Sequence, residues 1–209
     1  MKSNATTKFL ILPALLFIFG CAPKTPSLVL PVYGVKHLVG NDTVYHSIGN
    51  FSLTNQYGET ITQETTKNKI VVANFFFASC QSICPVMSSH LTEVQKAFAQ
   101  DDSVLILSHS VNPLHDTVAV LMAYAETYHA QKNKWHFLTG DKKQIYALAK
   151  NDYLVNALED DGSPEGFLHS ELFLLIDSKK RMRGMYDGTD SADVQKLIGD
   201  ITLLKTESR

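Results

Sequence analysis

Three long apolar runs mark where a sheet is expected in this chain. Residues 70–77, 104–111 and 171–177 consist mainly of aliphatic, β-branched and aromatic side chains. The first run is nearly continuous and lacks the alternation of a half-exposed strand, which indicates a strand buried on both faces. We predict strands at all three positions and shorter extended segments at residues 51–54 and 135–138.

Between these runs, apolar residues recur at the three- and four-residue spacing of amphipathic helices. The first predicted helix begins near Ser82 and has Pro85 in its first turn, where a missing N–H is tolerated. Asp141 is predicted to be the N-cap of the third helix. The predicted helices cover residues 82–98, 117–129, 142–150 and 191–204.

The order of these elements predicts the fold class. Strands alternate with helices over residues 70–150, which favours parallel strands joined by helical crossovers. The chain then ends with an antiparallel hairpin over residues 171–186 and a last helix. This order is typical of a three-layer, thioredoxin-like α/β fold, in which helices flank a central mixed sheet. We expect one such domain at residues 45–209 and find no internal repeat.

The first twenty residues have the pattern of a secretion signal. Lys2 and Lys8 supply positive charge, and residues 9–19 form an apolar core too short to span a bilayer comfortably. The following sequence, Ile-Phe-Gly-Cys at 18–21, resembles a bacterial lipobox, where the cysteine receives a diacylglycerol. We predict a lipoprotein signal peptide at residues 1–20, lipidation of Cys21 and a linker at residues 21–44.

This leader predicts a location in the bacterial cell envelope, with the domain on the extracytoplasmic side and held to a membrane by lipid. An uncleaved anchor or an ordinary signal peptide is the alternative. Hydrophobic residues make up 44% of the chain, which is enough for a sizeable core. The formal charge of −2 gives no reason to expect nucleic acid as a partner.

Cys80 and Cys84 are the remaining cysteines if Cys21 carries lipid. They stand at the predicted strand-to-helix junction, where the N–H groups at a helix start favour thiolate. Three residues separate them, whereas redox enzymes of the thioredoxin-like fold usually have two. Paired thiolates also suit a soft metal, Cu(I) or Zn(II). A structural disulfide, a redox couple and a metal site all remain open.

A site with two thiolates needs another ligand, and the chain has eight histidines. His169 follows a polar loop at residues 159–166 and directly precedes the predicted strand at 171–177. In a thioredoxin-like sheet this point lies beside the start of the first helix, so the loop could bring the imidazole to both sulfurs. His90 in a helix and His109 on a strand are more simply explained as packing residues.

Five features of the chain form a pattern: FFFASCQSICP at 75–85, SVNPLHDT at 110–117, WHFLTG at 135–140, the isolated His169, and LID at 175–177. Their order and spacing, over about residues 45–205, resemble the SCO/SenC family, whose members bind copper and assist assembly of cytochrome c oxidase. The chain departs from the family pattern at Asn112, where aspartate is usual, and at Val118, where proline is usual.

The resemblance implies that Cys80, Cys84 and His169 are the ligands of one copper ion, and that Asp116 caps or hydrogen-bonds near them. It implies a copper metallochaperone, not a turnover enzyme, that passes copper to cytochrome c oxidase subunit II or first reduces the cysteines of that subunit.

Other functions remain open from the sequence. The first is a membrane-tethered thiol–disulfide oxidoreductase or thiol peroxidase that uses Cys80 and Cys84 as its redox-active pair. The second alternative is a lipoprotein that serves as an adhesion or scaffold module, and it leaves the cysteine pair unexplained.

Overall fold

A computed structural model describes residues 29–155 and 170–207 of the chain. Within these residues the chain forms nine strands and four helices. The strands are β1 (Lys36–Val39), β2 (Asp42–Tyr45), β3 (Ser52–Asn55), β4 (Thr60–Thr62), β5 (Ile70–Phe76), β6 (Val104–Ser110), β7 (Trp135–Thr139), β8 (Leu172–Ile176) and β9 (Met182–Asp187). The helices are α1 (Ile83–Ala97), α2 (Val118–Thr127), α3 (Lys142–Ala147) and α4 (Ser191–Glu207).

Seven of the strands form one mixed sheet in the order β4-β3-β7-β6-β5-β8-β9. Strands β5, β6 and β7 are parallel neighbours, whereas β8 and β9 continue the sheet in antiparallel pairing from β5. On the other side, β3 pairs antiparallel with both β7 and β4. The predicted α/β fold with a central mixed sheet flanked by helices is confirmed.

The core lies on both faces of this sheet. Every residue of β5, β6 and β7 is buried, which confirms that the continuous apolar runs mark central strands. The flanking helices present one apolar stripe each; α4, for example, buries Val194, Leu197, Ile201 and Leu204 at helical spacing. Each such side chain contributes about 1.5–3 kcal/mol through its removal from water.

The helix boundaries follow local hydrogen bonding. Asp141 is confirmed as the N-cap of α3, since its carboxylate accepts the backbone N–H of Gln144 at 2.8 Å. The predicted single helix at 142–150 is divided, because α3 passes into a π-helical turn at Leu148–Asp152. Pro85 lies in the first turn of α1 as predicted.

A separate two-stranded hairpin, β1–β2, spans residues 36–45 and so falls almost entirely in the interval 21–44 that we predict to be a linker. Gly40 occupies its turn with a positive φ of 62°, a conformation that favours glycine. Folded structure in the described chain therefore reaches back before residue 45. None of the helices in the described residues is long and apolar enough to cross a membrane.

Candidate metal centre

Cys80 and Cys84 lie at the carboxyl end of β5, where the chain turns into α1. The backbone N–H of Cys80 donates to the carbonyl of Phe77 at 3.2 Å, which closes a turn directly after the strand. Helix α1 begins at Ile83, so Cys84 lies in its first turn while Cys80 precedes it by three residues. The predicted strand-to-helix junction is confirmed, and a turn, not one helical face, brings the two cysteines together.

The two cysteines are buried free thiols in contact with each other. The Cys80 sulfur accepts hydrogen bonds from the thiol and the backbone N–H of Cys84. The Ser82 hydroxyl lies 3.6 Å from the same sulfur and makes no side-chain cap to α1, although Ser82 is the N-cap residue. The hydrogen-bond donors at the start of α1, from Ser82 and Cys84, are therefore directed toward the Cys80 sulfur.

These contacts separate the acidities of the two thiols. Burial raises the pKa of Cys80, but the hydrogen bonds from Cys84 and Ser82 outweigh burial, so the pKa of Cys80 is lowered overall. Burial raises the pKa of the Cys84 thiol to about 12, and Cys80 and the Asp116 carboxylate add to that effect. Cys80 is therefore the sulfur that ionises first.

Asp116 holds the loop that carries the thiols. Its buried carboxylate accepts the backbone N–H of Ala78 at 3.0 Å and the hydroxyl of Ser110 at 2.5 Å. Ser110 in turn accepts the backbone N–H of Asn112 at 3.1 Å. Asp116 therefore ties the segment before Cys80 to the end of β6, as the hydrogen-bonding role implied by the sequence requires.

Tyr124 lies near the thiol pair and joins α2 to α1. The hydroxyl of Tyr124 on α2 hydrogen-bonds to Ser88 on α1 at 2.9 Å, one helical turn after Cys84. The Tyr124 ring packs against Phe76 and Phe137, with ring centroids 5.1 and 5.4 Å away. The Ser88–Tyr124 pair was missed from the sequence, although the four-residue spacing from Cys84 places Ser88 on the same face of α1.

The donor chemistry fits a soft metal ion. Two sulfur donors favour Cu(I) over hard cations, which prefer carboxylate and carbonyl oxygens. No residue from 70 to 92 carries a charged carboxylate, ammonium or guanidinium group. Within the described residues, no group of three His, Cys, Asp or Glu side chains is placed to hold a metal ion.

Two of the predicted site residues, Cys21 and His169, lie outside the described residues. The chain is described again from Ser170, and β8 begins at Leu172. Because β8 runs antiparallel to β5, the start of β8 lies at the end of the sheet where β5 leads into Cys80.

Three other histidines have local roles. His109 is buried in the core, and its Nδ1–H donates to the Asn74 carbonyl at 3.3 Å. His90 on α1 donates from Nδ1 to the carbonyl of Gly188 at 2.8 Å. His136, buried on β7, accepts from the side-chain amide of Asn55 at 3.2 Å. The packing interpretation of His90 and His109 agrees with these contacts.

Together, the sheet order and the thiol pair define a thioredoxin-like domain with a buried dithiol at the end of a central strand. The SCO1/SenC family model matches residues 40–204, and the chain belongs to that family. The predicted family and the thioredoxin-like fold are both confirmed.

Three solved structures are similar to this chain. A SCO1/SenC family lipoprotein from Bacillus anthracis shares 26% identity, with a TM-score of 0.69 over 77% of this chain and 95% of that one. BsSco, described as a member of the Sco family of cytochrome c oxidase assembly proteins, shares 28% identity, with a TM-score of 0.67 over 77% and 94%. Bradyrhizobium japonicum ScoI with copper bound shares 25% identity, with a TM-score of 0.60 over 75% and 98%.

Proposed function

We propose that this protein is a copper metallochaperone that carries one copper ion on the thiolates of Cys80 and Cys84 and the imidazole of His169. The observation that carries the proposal is the pair of buried thiols in hydrogen-bond contact at the end of β5. Copper bound to the similar ScoI of Bradyrhizobium japonicum supports copper as the cargo.

Two arguments support His169 as the third ligand. The family resemblance assigns that role to the one histidine that stands between the polar loop and β8. In addition, the described chain resumes at Ser170, and the start of β8 lies at the same end of the sheet as the thiols. One neutral imidazole nitrogen and two thiolate sulfurs would give Cu(I) three ligands, and these ligand types suit Cu(I).

The proposed client is the copper site of cytochrome c oxidase subunit II, either as copper acceptor or through prior reduction of its cysteines. Membership of BsSco in a family of cytochrome c oxidase assembly proteins supports this choice. Oxidation of Cys80 and Cys84 to a disulfide would remove both sulfur donors, so the thiol redox state would control loading.

We place the protein in the bacterial cell envelope, anchored by lipid on Cys21 with its domain on the extracytoplasmic side. The lipobox-like sequence before Cys21 supports this location, as does the similar family lipoprotein of Bacillus anthracis.

Copper stoichiometry tests the proposal. The chain, carrying Cys21→Ser so that Cys80 and Cys84 are its only thiols, is reduced and loaded with Cu(I) without oxygen. We expect one copper per chain, loss of stoichiometric binding in Cys80→Ser, and weakened binding in His169→Ala. His90→Ala is the matched control and should keep full binding, because its ring hydrogen-bonds to the Gly188 carbonyl. Unchanged affinity in Cys80→Ser would refute the site.

The unequal thiol acidities favour a second candidate function, a thiol–disulfide oxidoreductase. A lowered pKa at Cys80 beside a raised pKa at Cys84 is the pattern of an attacking thiol and its resolving partner. Disulfide reduction by the chain would then be lost in Cys80→Ser and indifferent to His169→Ala, whereas copper binding requires both residues.

A further inference from the structure

The hairpin β1–β2 and the segment that leads into it carry much of the exposed apolar surface of the described chain. Twelve large hydrophobic side chains are exposed in the described residues, and seven of them fall between residues 29 and 45. They are Val29, Tyr33, Val35, Leu38, Val39, Val44 and Tyr45. A two-stranded hairpin with apolar side chains in water is only marginally stable alone. An exposed apolar surface of this kind indicates an interaction site.

Buried ionic contacts fix the chain that leads into the hairpin. The Arg183 guanidinium, itself buried, donates to the carbonyls of Leu30 at 2.6 Å and Pro31 at 2.9 Å. It also pairs with Asp177 at 3.0 Å and with Glu207 at 2.6 Å. Glu207 closes the arrangement by accepting the backbone N–H of Leu30 at 2.8 Å.

Further contacts hold both strands at the base of the hairpin. Before β1, the backbone N–H of Tyr33 donates to the Met182 carbonyl at 2.9 Å. After β2, the backbone N–H of Ile48 donates to the Lys180 carbonyl at 2.9 Å, and the guanidinium of Arg181 lies over the Tyr45 ring at 5.7 Å. The hairpin therefore projects in a fixed direction from the domain.

The hairpin base and the thiol pair lie at opposite ends of the sheet. Val71 of β5 is paired with Ile176, immediately before Asp177, whereas Phe76 at the other end of β5 leads to Cys80. Phe76 is six positions after Ile70, which corresponds to about 20 Å along the strand.

Lysine side chains lie on the hairpin and beside its base. Lys36 lies on β1, and Lys179 and Lys180 lie in the β8–β9 turn beside its base. In the same turn, Arg181 pairs with the Asp177 carboxylate at 2.7 Å, so its charge is offset. Asp42 is the only acidic residue between positions 29 and 45. Exposed apolar side chains next to lysine and arginine are the combination that binds the interface of anionic membranes.

We propose that the β1–β2 hairpin is a membrane-contact surface that rests on an anionic lipid bilayer and turns the thiol pair away from it. This inference rests on the proposed lipid anchor at Cys21. Cys21 is eight residues before Val29, so the extended chain spans at most about 28 Å between them. That short reach keeps the hairpin beside the membrane and favours lipid over a second protein as its partner.

Depth-dependent fluorescence quenching tests the proposal. The lipidated full chain is reconstituted into vesicles of zwitterionic and anionic phospholipids, with or without brominated acyl chains. Leu38→Trp reports on the hairpin, and Leu114→Trp is the matched control at the thiol end, because these leucines are 74% and 81% exposed. The native Trp135 is fully buried and is the chain's single tryptophan. We expect brominated lipid to quench the indole at position 38 and to leave the one at position 114 unchanged.

The other outcomes separate this proposal from the anchor. Vesicle flotation of the chain without quenching at position 38, or with equal quenching at both positions, overturns the membrane contact and leaves the anchor standing. If the Cys21→Ser chain floats with vesicles as well as the lipidated chain does, and position 38 is quenched, the membrane contact of the hairpin is supported and the lipid anchor at Cys21 is refuted. Absence of flotation refutes both. Iodide quenching of the indole at position 38 is also measured in the Cys21→Ser chain without vesicles. If this quenching weakens as the protein concentration rises, the hairpin is an interface between copies of the chain, and the proposal is overturned.

Discussion

His109 provides a quantitative test of the packing in this domain. It is fully buried on β6, stacks on Phe75 with ring centroids 5.1 Å apart, and meets the edges of Phe51 and Tyr153. Its Nδ1–H bonds to a carbonyl, while its Nε2 has no partner among the described residues. Burial in this aromatic cage lowers the pKa of His109 from 6.5 to about 4.

The lowered pKa makes stability depend on pH with a definite sign. Between about pH 6.5 and pH 4 the unfolded chain protonates at His109 while the folded chain does not, so acid favours unfolding. The stabilisation is complete above 6.5 and is lost as pH falls through about 4. The difference of 6.5 from about 4, at about 1.4 kcal/mol per pKa unit, gives about 3 kcal/mol.

Urea unfolding of reduced wild-type chain and of His109→Phe, at pH 7 and pH 4, measures this effect. We expect the wild type to lose about 3 kcal/mol more unfolding free energy than the variant over that interval. The lowered pKa of Asp101 contributes in both chains and cancels in the difference. Leu107→Val, on the same strand, is a control that lowers stability but keeps the wild-type pH dependence. Equal losses in wild type and His109→Phe would refute the buried, uncharged imidazole.

Two further predictions concern the thiols and the clamp on the hairpin. Because the pKa of Cys84 is about 12, its thiol is protonated at neutral pH and Cu(I) must displace that proton to bind. The apparent Cu(I) affinity should therefore fall at least about tenfold for each pH unit by which the pH is lowered. Competition with a Cu(I) chelator measures this affinity, and an affinity independent of pH would contradict the prediction. Arg183→Met strands the carboxylates of Asp177 and Glu207, and should cost about 3 kcal/mol in urea unfolding. The surface pair lost in Lys67→Met should cost under about 1 kcal/mol, and equal costs would argue against the clamp.

The central sheet could be predicted from the sequence because its signal is local. Strands β5 and β6 are continuous apolar runs, and a turn or cap marks the start of each following helix. The hairpin β1–β2 could not be predicted, because all its residues are exposed and give no apolar stripe. Its position depends on Arg183, which is 153 residues away from Leu30 in the chain.

The site shows the same division between local and long-range signals. The motif around Cys80 and Cys84 predicts their place at the strand end. The motif at residues 110–117 predicts that Asp116 forms a hydrogen bond near them. The hydrogen bond between Ser88 on α1 and Tyr124 on α2 joins residues 36 positions apart in the chain, so no single segment of the sequence reveals it. His169 stays a prediction, since it lies outside the described residues.

X-ray absorption at the copper edge tests the central claim most directly, because it identifies the atoms bound to the metal. The Cu(I)-loaded chain carrying Cys21→Ser is compared with the same chain carrying His169→Ala. The account predicts two sulfur and one nitrogen neighbour in the first, and loss of the nitrogen with retention of both sulfurs in the second. Two results would contradict a copper centre of two thiolates and one imidazole. One is a spectrum of the Cys21→Ser chain with sulfur neighbours alone, and the other is a spectrum that does not change when His169→Ala is added.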